Sequence, residues 1–316
     1  MNSDRHIVYQ LLFLVVATLG FMWLSRYHPL GVRIPGGEIV PPGGSFGGET
    51  DVYLPSEQQN QGLGTVAIVV PTPFLYNFNA NGSLPEAGSM DESNSGYWWV
   101  NSGGILTIGE GEGRTNFGEL PAASKWYSLY ARANPIDTDN GNHPQNIFRL
   151  LTRSRWNNVR QQVYFKIAKD NLSSSPNRNA SNGLLLFSRY LDSANLYYVG
   201  VRVDGAAVIK KKINGTYYTI ASVPYLAGSY NRDTSPNLLP KSVWIGLRSE
   251  TVTNLDSSVT IRLYVDEGRT GVWKLVLQGK DDGLQFGGGA ITREGYTGIR
   301  TDFMDVSFYR YIEEKL

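Results

Sequence analysis

Few side chains in this sequence are arranged for covalent chemistry. Cysteine is absent, which excludes disulfides and thiolate metal sites. The three histidines, His6, His28 and His143, are scattered and do not assemble a zinc site. A serine or cysteine triad would have to use His143, and no nucleophile motif accompanies it. Glu110 and Glu112 alternate, as paired carboxylates might, but in a glycine-rich run that would hold them loosely. Asp137, Asp139, Asn140 and Asn142 supply oxygen atoms at alternate positions, with Gly141 at the bend. Calcium takes such hard oxygen clusters. The plainer reading of the same run is a polar, Asx-rich turn. Trp98, Trp99, Trp126 and Trp156, with Tyr127, offer rings that could stack on sugars. Trp98 and Trp99 are neighbours, so in a strand they face opposite ways and one of them serves the core.

The elements that must position these groups are strands. The chain has 316 residues, 35 of them glycine and 19 tyrosine, which suits short strands joined by tight turns. Net charge is +1, so no electrostatic footprint for nucleic acid exists. After a tail of residues 1–6, Ile7 to Leu24 is uncharged. Eighteen helical residues rise about 27 Å, close to a bilayer core of about 30 Å. No small-x-small cleavage site follows, and Trp23 and Tyr27 suit the interface. A retained transmembrane signal anchor is therefore expected, with the rest of the chain outside the cytoplasm. Arg26 and Arg33 balance Arg5, so charge alone does not fix that orientation. Residues 25–64, rich in glycine and proline, read as a linker or strap. Residues 65–316 read as one antiparallel sandwich without helices.

Within that domain, strands are expected at 66–70, on both sides of Ser102-Gly103-Gly104, and at 125–132, 147–153, 160–168 and 184–190. Others follow at 242–248, 259–265, 272–277 and 298–311. The clearest local signal is Leu196 to Val223, where Asp204-Gly205 and Asn214-Gly215 interrupt runs of Val, Ile and Tyr. Two-residue type I′ turns at both sites set Val201 opposite Val208, Ile213 opposite Thr216 and Ile209 opposite Ile220. The run Lys210-Lys211-Lys212 then reads as solvated strand lysines, with an anionic partner as the alternative.

Asn182 to Lys212, NGLLLFSRYLDSANLYYVGVRVDGAAVIKKK, resembles the central strands of concanavalin A-like lectin/glucanase domains. Gly298 to Tyr311, GIRTDFMDVSFYRY, is similar to their closing strand. The resemblance spans about residues 70–312 and implies an all-β, antiparallel jelly-roll sandwich. It says little of activity, since that fold hosts lectins, binding modules, hydrolases and lyases. The glucanase branch carries Glu-x-Asp-x-x-Glu or Glu-x-Asp-x-Glu on one strand, and no such strand is present. Tyr164-Phe165-Lys166 and Arg248-Ser249-Glu250 resemble two motifs of the alginate-lyase branch, in reversed order and without its Gln-x-His. A groove joining Tyr164, Lys166, Arg248 and Glu250 would restore a lyase reading.

The expectation drawn from all this is a membrane-anchored, extracytoplasmic, non-catalytic lectin-like domain that binds carbohydrate, with calcium as its one candidate cofactor. The alternative is a structural accessory subunit of a larger membrane complex, respiratory or photosynthetic in type. A polysaccharide lyase or glycoside hydrolase comes third.

Overall fold

The computed structural model describes residues 73–316. The expected anchor at residues 7–24, the linker and the strand at 66–70 lie outside the described residues. Sixteen strands follow one another. They begin with β1 (Phe74–Tyr76), β2 (Gly82–Pro85), β3 (Trp98–Ser102), β4 (Ile105–Gly109) and β5 (Glu112–Arg114). Next come β6 (Ile147–Trp156), β7 (Val159–Asp170), β8 (Gly183–Asp192), β9 (Asn195–Arg202), β10 (Ala206–Ile213) and β11 (Thr216–Pro224). The last are β12 (Trp244–Thr253), β13 (Val259–Glu267), β14 (Lys274–Asp281), β15 (Gly295–Asp302) and β16 (Met304–Lys315). A nine-stranded sheet runs β14-β13-β12-β7-β16-β5-β4-β2, with β1 also paired to β16. A seven-stranded sheet runs β11-β10-β9-β8-β15-β6-β3. Every pairing between these strands is antiparallel.

Period-two patterning builds the core. Val163, Phe165 and Ile167 of β7 point inward with Leu247 of β12 and Phe308 of β16. They meet Phe148, Leu184, Leu186 and Ile299 from the other sheet. The Phe148 and Phe308 rings stack across the interface at 5.5 Å. The two sheets therefore form one sandwich, as the sequence implied.

Three expectations about local structure are corrected. Residues 125–132 are not a strand: Lys125–Ala133 is an α-helix, α1. Ser124 caps it by accepting the Trp126 N–H at 3.3 Å, and Trp126 and Tyr130, four apart, share a face. Residues 298–311 are not one strand. Phe303, at φ 55°, breaks the run and passes the chain from β15 in one sheet to β16 in the other.

The third correction is the first hairpin. Its loop has three residues, Val203 to Gly205, with the Gly205 N–H bonded to Arg202 O at 3.0 Å and Gly205 at φ 82°. Val201 therefore faces Ala207 rather than Val208. A slip of one residue exchanges the faces of a strand. Lys211 now shares the inward face with its partner Tyr197 and is fully buried. Its ammonium meets Asp281 at 2.8 Å and the carbonyls of Gly288 and Gly289 at 2.6 and 2.8 Å. Lys211 and Lys212 are thus not the solvated lysines expected. The second turn holds as read, with Asn214 at φ 49°, Gly215 at φ 82° and Ile213 opposite Thr216. A bulge beyond it leaves Ile209 opposite Ala221 rather than Ile220.

A polar pocket interrupts the core near the end of β16. Glu313 is fully buried and accepts hydrogen bonds from Tyr311 (3.0 Å), Ser154 (3.2 Å) and Thr297. Burial pushes its carboxyl up to about 8 against these hydrogen bonds.

Candidate functional site

The four tryptophans proposed as sugar platforms do not come together. Trp98 lies in the core. Trp156 is buried, with its indole N–H on Ser154 Oγ at 2.9 Å. Trp126 sits on α1 against Gly104 of the β3–β4 turn, with the Lys125 ammonium 4.7 Å from its ring. Trp99 alone stands on the outer face of the seven-stranded sheet, held by its N–H to Ala87 O at 2.9 Å.

The candidate calcium loop is a clip between two segments. Asp137 Oδ1 accepts from Ser175 (2.6 Å) and Asn177 (2.9 Å), and its Oδ2 from Asn134 (3.1 Å). Asp139 Oδ1 accepts from Ser173 (2.5 Å), and its Oδ2 meets His143 Nδ1 (3.0 Å) and Asn146 (3.3 Å). Asn142 donates to Asp139 O at 2.6 Å, and exposed Asn140 takes a left-handed turn position at φ 57°. A calcium site needs carboxylate oxygens free to face the ion. These oxygens face protein donors, so the donor set as folded does not fit calcium.

Tyr164, Lys166, Arg248 and Glu250 do share one face, the outer face of the nine-stranded sheet, on the paired strands β7 and β12. Each is committed to its own partner. The Tyr164 hydroxyl donates to Asp266 at 2.8 Å, and Lys166 pairs with Glu112 at 2.9 Å. Arg248 donates to Gln162 at 2.8 Å and lies 4.2 Å from the Trp273 ring centre. Glu250 is held by Arg160 at 2.7 Å and Tyr264 at 3.0 Å. Burial and the bond to Asp266 push the Tyr164 hydroxyl up to about 12, away from the range of a general base. Gly246 makes room for this layer. A methyl group there would meet Tyr164 Cε1 at 2.7 Å and Trp273 Cη2 at 2.8 Å.

A second collection of aromatic and cationic groups occupies the outer face of the seven-stranded sheet. Registered pairing aligns it in rows. One row crosses Trp99, Leu151, Phe187, Tyr198 and Lys210. The next crosses Arg149, Arg300, Leu185 and Val208, with Gly200 between the last two. On the other side lie Tyr296, Tyr190, Lys212 and Tyr217. Leu151, Leu185, Phe187 and Val208 make a buried apolar floor, against which Trp99 and Tyr296 pack half-buried. Tyr217 is 45% exposed, edge-on to Tyr198 at 5.9 Å. Lys212 lies 4.7 Å from the Tyr217 ring centre, and Arg155 lies 4.8 Å from that of Tyr296.

This face was only partly legible. Period two sets Tyr198 and Arg202 on the face opposite Tyr197, but a two-residue turn at Asp204-Gly205 would give them the wrong partners. The signal that Arg149 belongs with them is its alternation with Phe148 and Leu150, both in the core.

One half-buried acid borders the face. Glu86 accepts the Gly104 N–H at 2.8 Å and the Tyr130 hydroxyl, which itself accepts the Gly103 N–H at 2.8 Å. Burial pushes Glu86 up to about 7, although these donors and nearby Arg149 act the other way.

No family model matches the chain. No curated protein matches it either. Solved structures do show similarity. The carbohydrate binding module CBM66 from Bacillus subtilis aligns at 13% identity and a TM-score of 0.43, covering 69% of this chain and 95% of that one. The Bacillus licheniformis beta-glucanase aligns at 12% and 0.40, covering 77% and 98%. The basic winged bean lectin with Tn-antigen aligns at 8% and 0.41, covering 76% and 96%.

Proposed function

We propose that residues 73–316 form a non-catalytic carbohydrate-binding domain of concanavalin A-like type, displayed outside the cytoplasm on the anchor at residues 7–24. The observation that carries this reading is the outer face of the seven-stranded sheet. Partly exposed rings of Trp99, Tyr296 and Tyr217 stand beside hydrogen-bonding cations over a rigid apolar floor. Sugars present a C–H patch and a rim of hydroxyls, and such a face complements both. The non-catalytic part rests on the opposite face. There Tyr164, Lys166, Arg248 and Glu250 are engaged with four different sets of neighbours. General acid–base work needs two groups that converge on one substrate atom.

The test is binding to a panel of immobilised polysaccharides, with Tyr217→Ala and Tyr296→Ala as variants. An aromatic contact is worth about 1 kcal/mol, so each variant is expected to lose roughly five-fold in affinity. A panel without any binder, or unchanged affinity in both variants, refutes the assignment to this face. Release of unsaturated or reducing ends from any bound polymer refutes the non-catalytic part.

A further inference from the structure

The cations of this face sit in an arrangement that is unfavourable without an anion. Arg149 of β6 and Arg300 of β15 are direct cross-strand partners on the same face. Like charges directly opposite each other destabilise a sheet. Around them stand Arg202, Lys210, Arg155 and the buried Lys212, and the carboxylates beside them are Asp204 and Asp302, with Glu86 at the border of the face. Both carboxylates are already taken. Asp302 binds Arg300 Nε at 2.9 Å, and Asp204 binds Arg202. Arg149 has no carboxylate within 4.0 Å among the described residues, and its partner across the ladder is Arg300.

Neighbouring groups register the excess. Burial would raise the Tyr217 hydroxyl, yet Arg300, Lys212 and Arg149 outweigh it and hold the group below the usual tyrosine range. The Lys210 ammonium is pulled down by burial, and then by Arg202 and Arg300. The lowered tyrosine reports the positive charge around it, while burial is the largest cause of the lysine shift and, against burial, Asp302, Tyr217 and Tyr198 hold the Arg300 guanidinium up.

We infer that the ligand of this face is an acidic glycan, with a carboxylate or sulfate group seated between Arg149 and Arg300. The inference rests on the carbohydrate reading above and narrows it. Two guanidinium forks on adjacent strands, whose backbones run about 4.8 Å apart, can share one oxyanion and turn mutual repulsion into charge-assisted hydrogen bonds. Tyr198, Tyr217 and Tyr296 lie to one side of that point, so the sugar rings on that side of the charged one meet aromatic surface. Neutral sugars would leave the arginine pair uncompensated, and a polyanion without rings would leave the aromatic flank unused.

The test uses the full chain in mild detergent, immobilised, against four soluble probes: polygalacturonate, dextran sulfate, neutral galactan and polyglutamate. Polygalacturonate or dextran sulfate is expected to bind at least ten-fold more tightly than galactan and polyglutamate, and to weaken between 50 and 200 mM salt. Whichever of the two binds identifies the anionic group. Arg149→Gln, which removes no contact within the protein's own salt bridges, is expected to cost at least ten-fold. Lys210→Gln is expected to cost a smaller factor, and it serves if Arg149→Gln fails to fold. Galactan binding as tightly as the acidic polymers overturns the acidic inference and leaves the carbohydrate reading standing. Polyglutamate binding equally well shows a bare charge patch and overturns it too, as does unchanged affinity in both variants. If no glycan binds at all, both readings fall.

Discussion

Replacing Glu313 by glutamine isolates a single buried proton. In the folded protein the carboxyl is raised from 4.5 to about 8, because ionising it inside the sandwich costs more than its hydrogen bonds return. An acid raised on folding is held neutral by the native state. Below about pH 4.5 both states are neutral and nothing is lost. Between about 4.5 and 8 the unfolded chain releases its proton and the folded chain does not, so stability falls as pH rises, and it levels off above 8. At about 1.4 kcal/mol per pH decade, the full span is worth about 5 kcal/mol. Glutamine carries no such proton. It also replaces a hydroxyl-donating acid with an amide among three hydroxyls, at a pH-independent cost of about 1–3 kcal/mol. The wild type is therefore expected to be the more stable protein at pH 5 and the variant the more stable at pH 9. Urea unfolding followed by tryptophan fluorescence, at unit pH steps from 5 to 9, reads the difference directly. Glu86 contributes a slope of the same sign, but it does so in both proteins and cancels. Parallel stability profiles for wild type and variant across that range would falsify the argument.

Two further substitutions probe the packing. Lys211→Met leaves buried Asp281 with the Tyr197 hydroxyl (2.5 Å) and the Gly283 N–H (3.1 Å) but without its cation, at an expected cost of about 3–5 kcal/mol by chemical denaturation. A loss under 1 kcal/mol would place Lys211 outside the core. Gly246→Ala drives a methyl group into the Tyr164 and Trp273 rings, at an expected cost of about 1–3 kcal/mol and with a shift in the tryptophan emission as Trp273 lifts away. Unchanged emission and stability would mean that the rings do not lie on that glycine.

How far the sequence reveals such a protein depends on whether the deciding interaction is local. Asn214-Gly215 specifies its own turn, because both residues tolerate positive φ whatever surrounds them. Asp204-Gly205 reads the same way and folds otherwise, since Val203 is drawn into the core and lengthens the loop by one. That single residue decides whether Lys211 is solvated or buried. Helix α1 was hidden by its aromatic content, as Trp126, Tyr127 and Tyr130 suit strands as well as helices. Only the Ser124 cap and the four-residue spacing betray it. The break at Phe303 shows only as a change of phase, the inward set passing from Ile299 to Met304, Val306 and Phe308 across two adjacent apolar residues. The binding face is long-range by nature: Arg149 and Arg300 are neighbours through sheet order, which no local pattern encodes. The commitment of Tyr164, Lys166, Arg248 and Glu250 to separate partners is equally invisible in motifs.

The position of β16 sets the order in which the protein can be made. It is the last strand in the sequence, yet it lies inside the nine-stranded sheet, between β7 and β5 with β1 also against it. Until residues 304–315 have been synthesised, β7 has no partner on that side, and β1 and β5 have nothing to pair with there. A chain emerging from a ribosome or a translocation channel can build the β8–β9–β10–β11 meander early, from contacts close in sequence. The nine-stranded sheet must wait. Long-range pairings of this kind fold slowly and leave strand edges open to other chains in the meantime. Truncation before Met304 would therefore remove the strand on which the sheet closes, and the truncated chain should aggregate rather than fold with a shortened end.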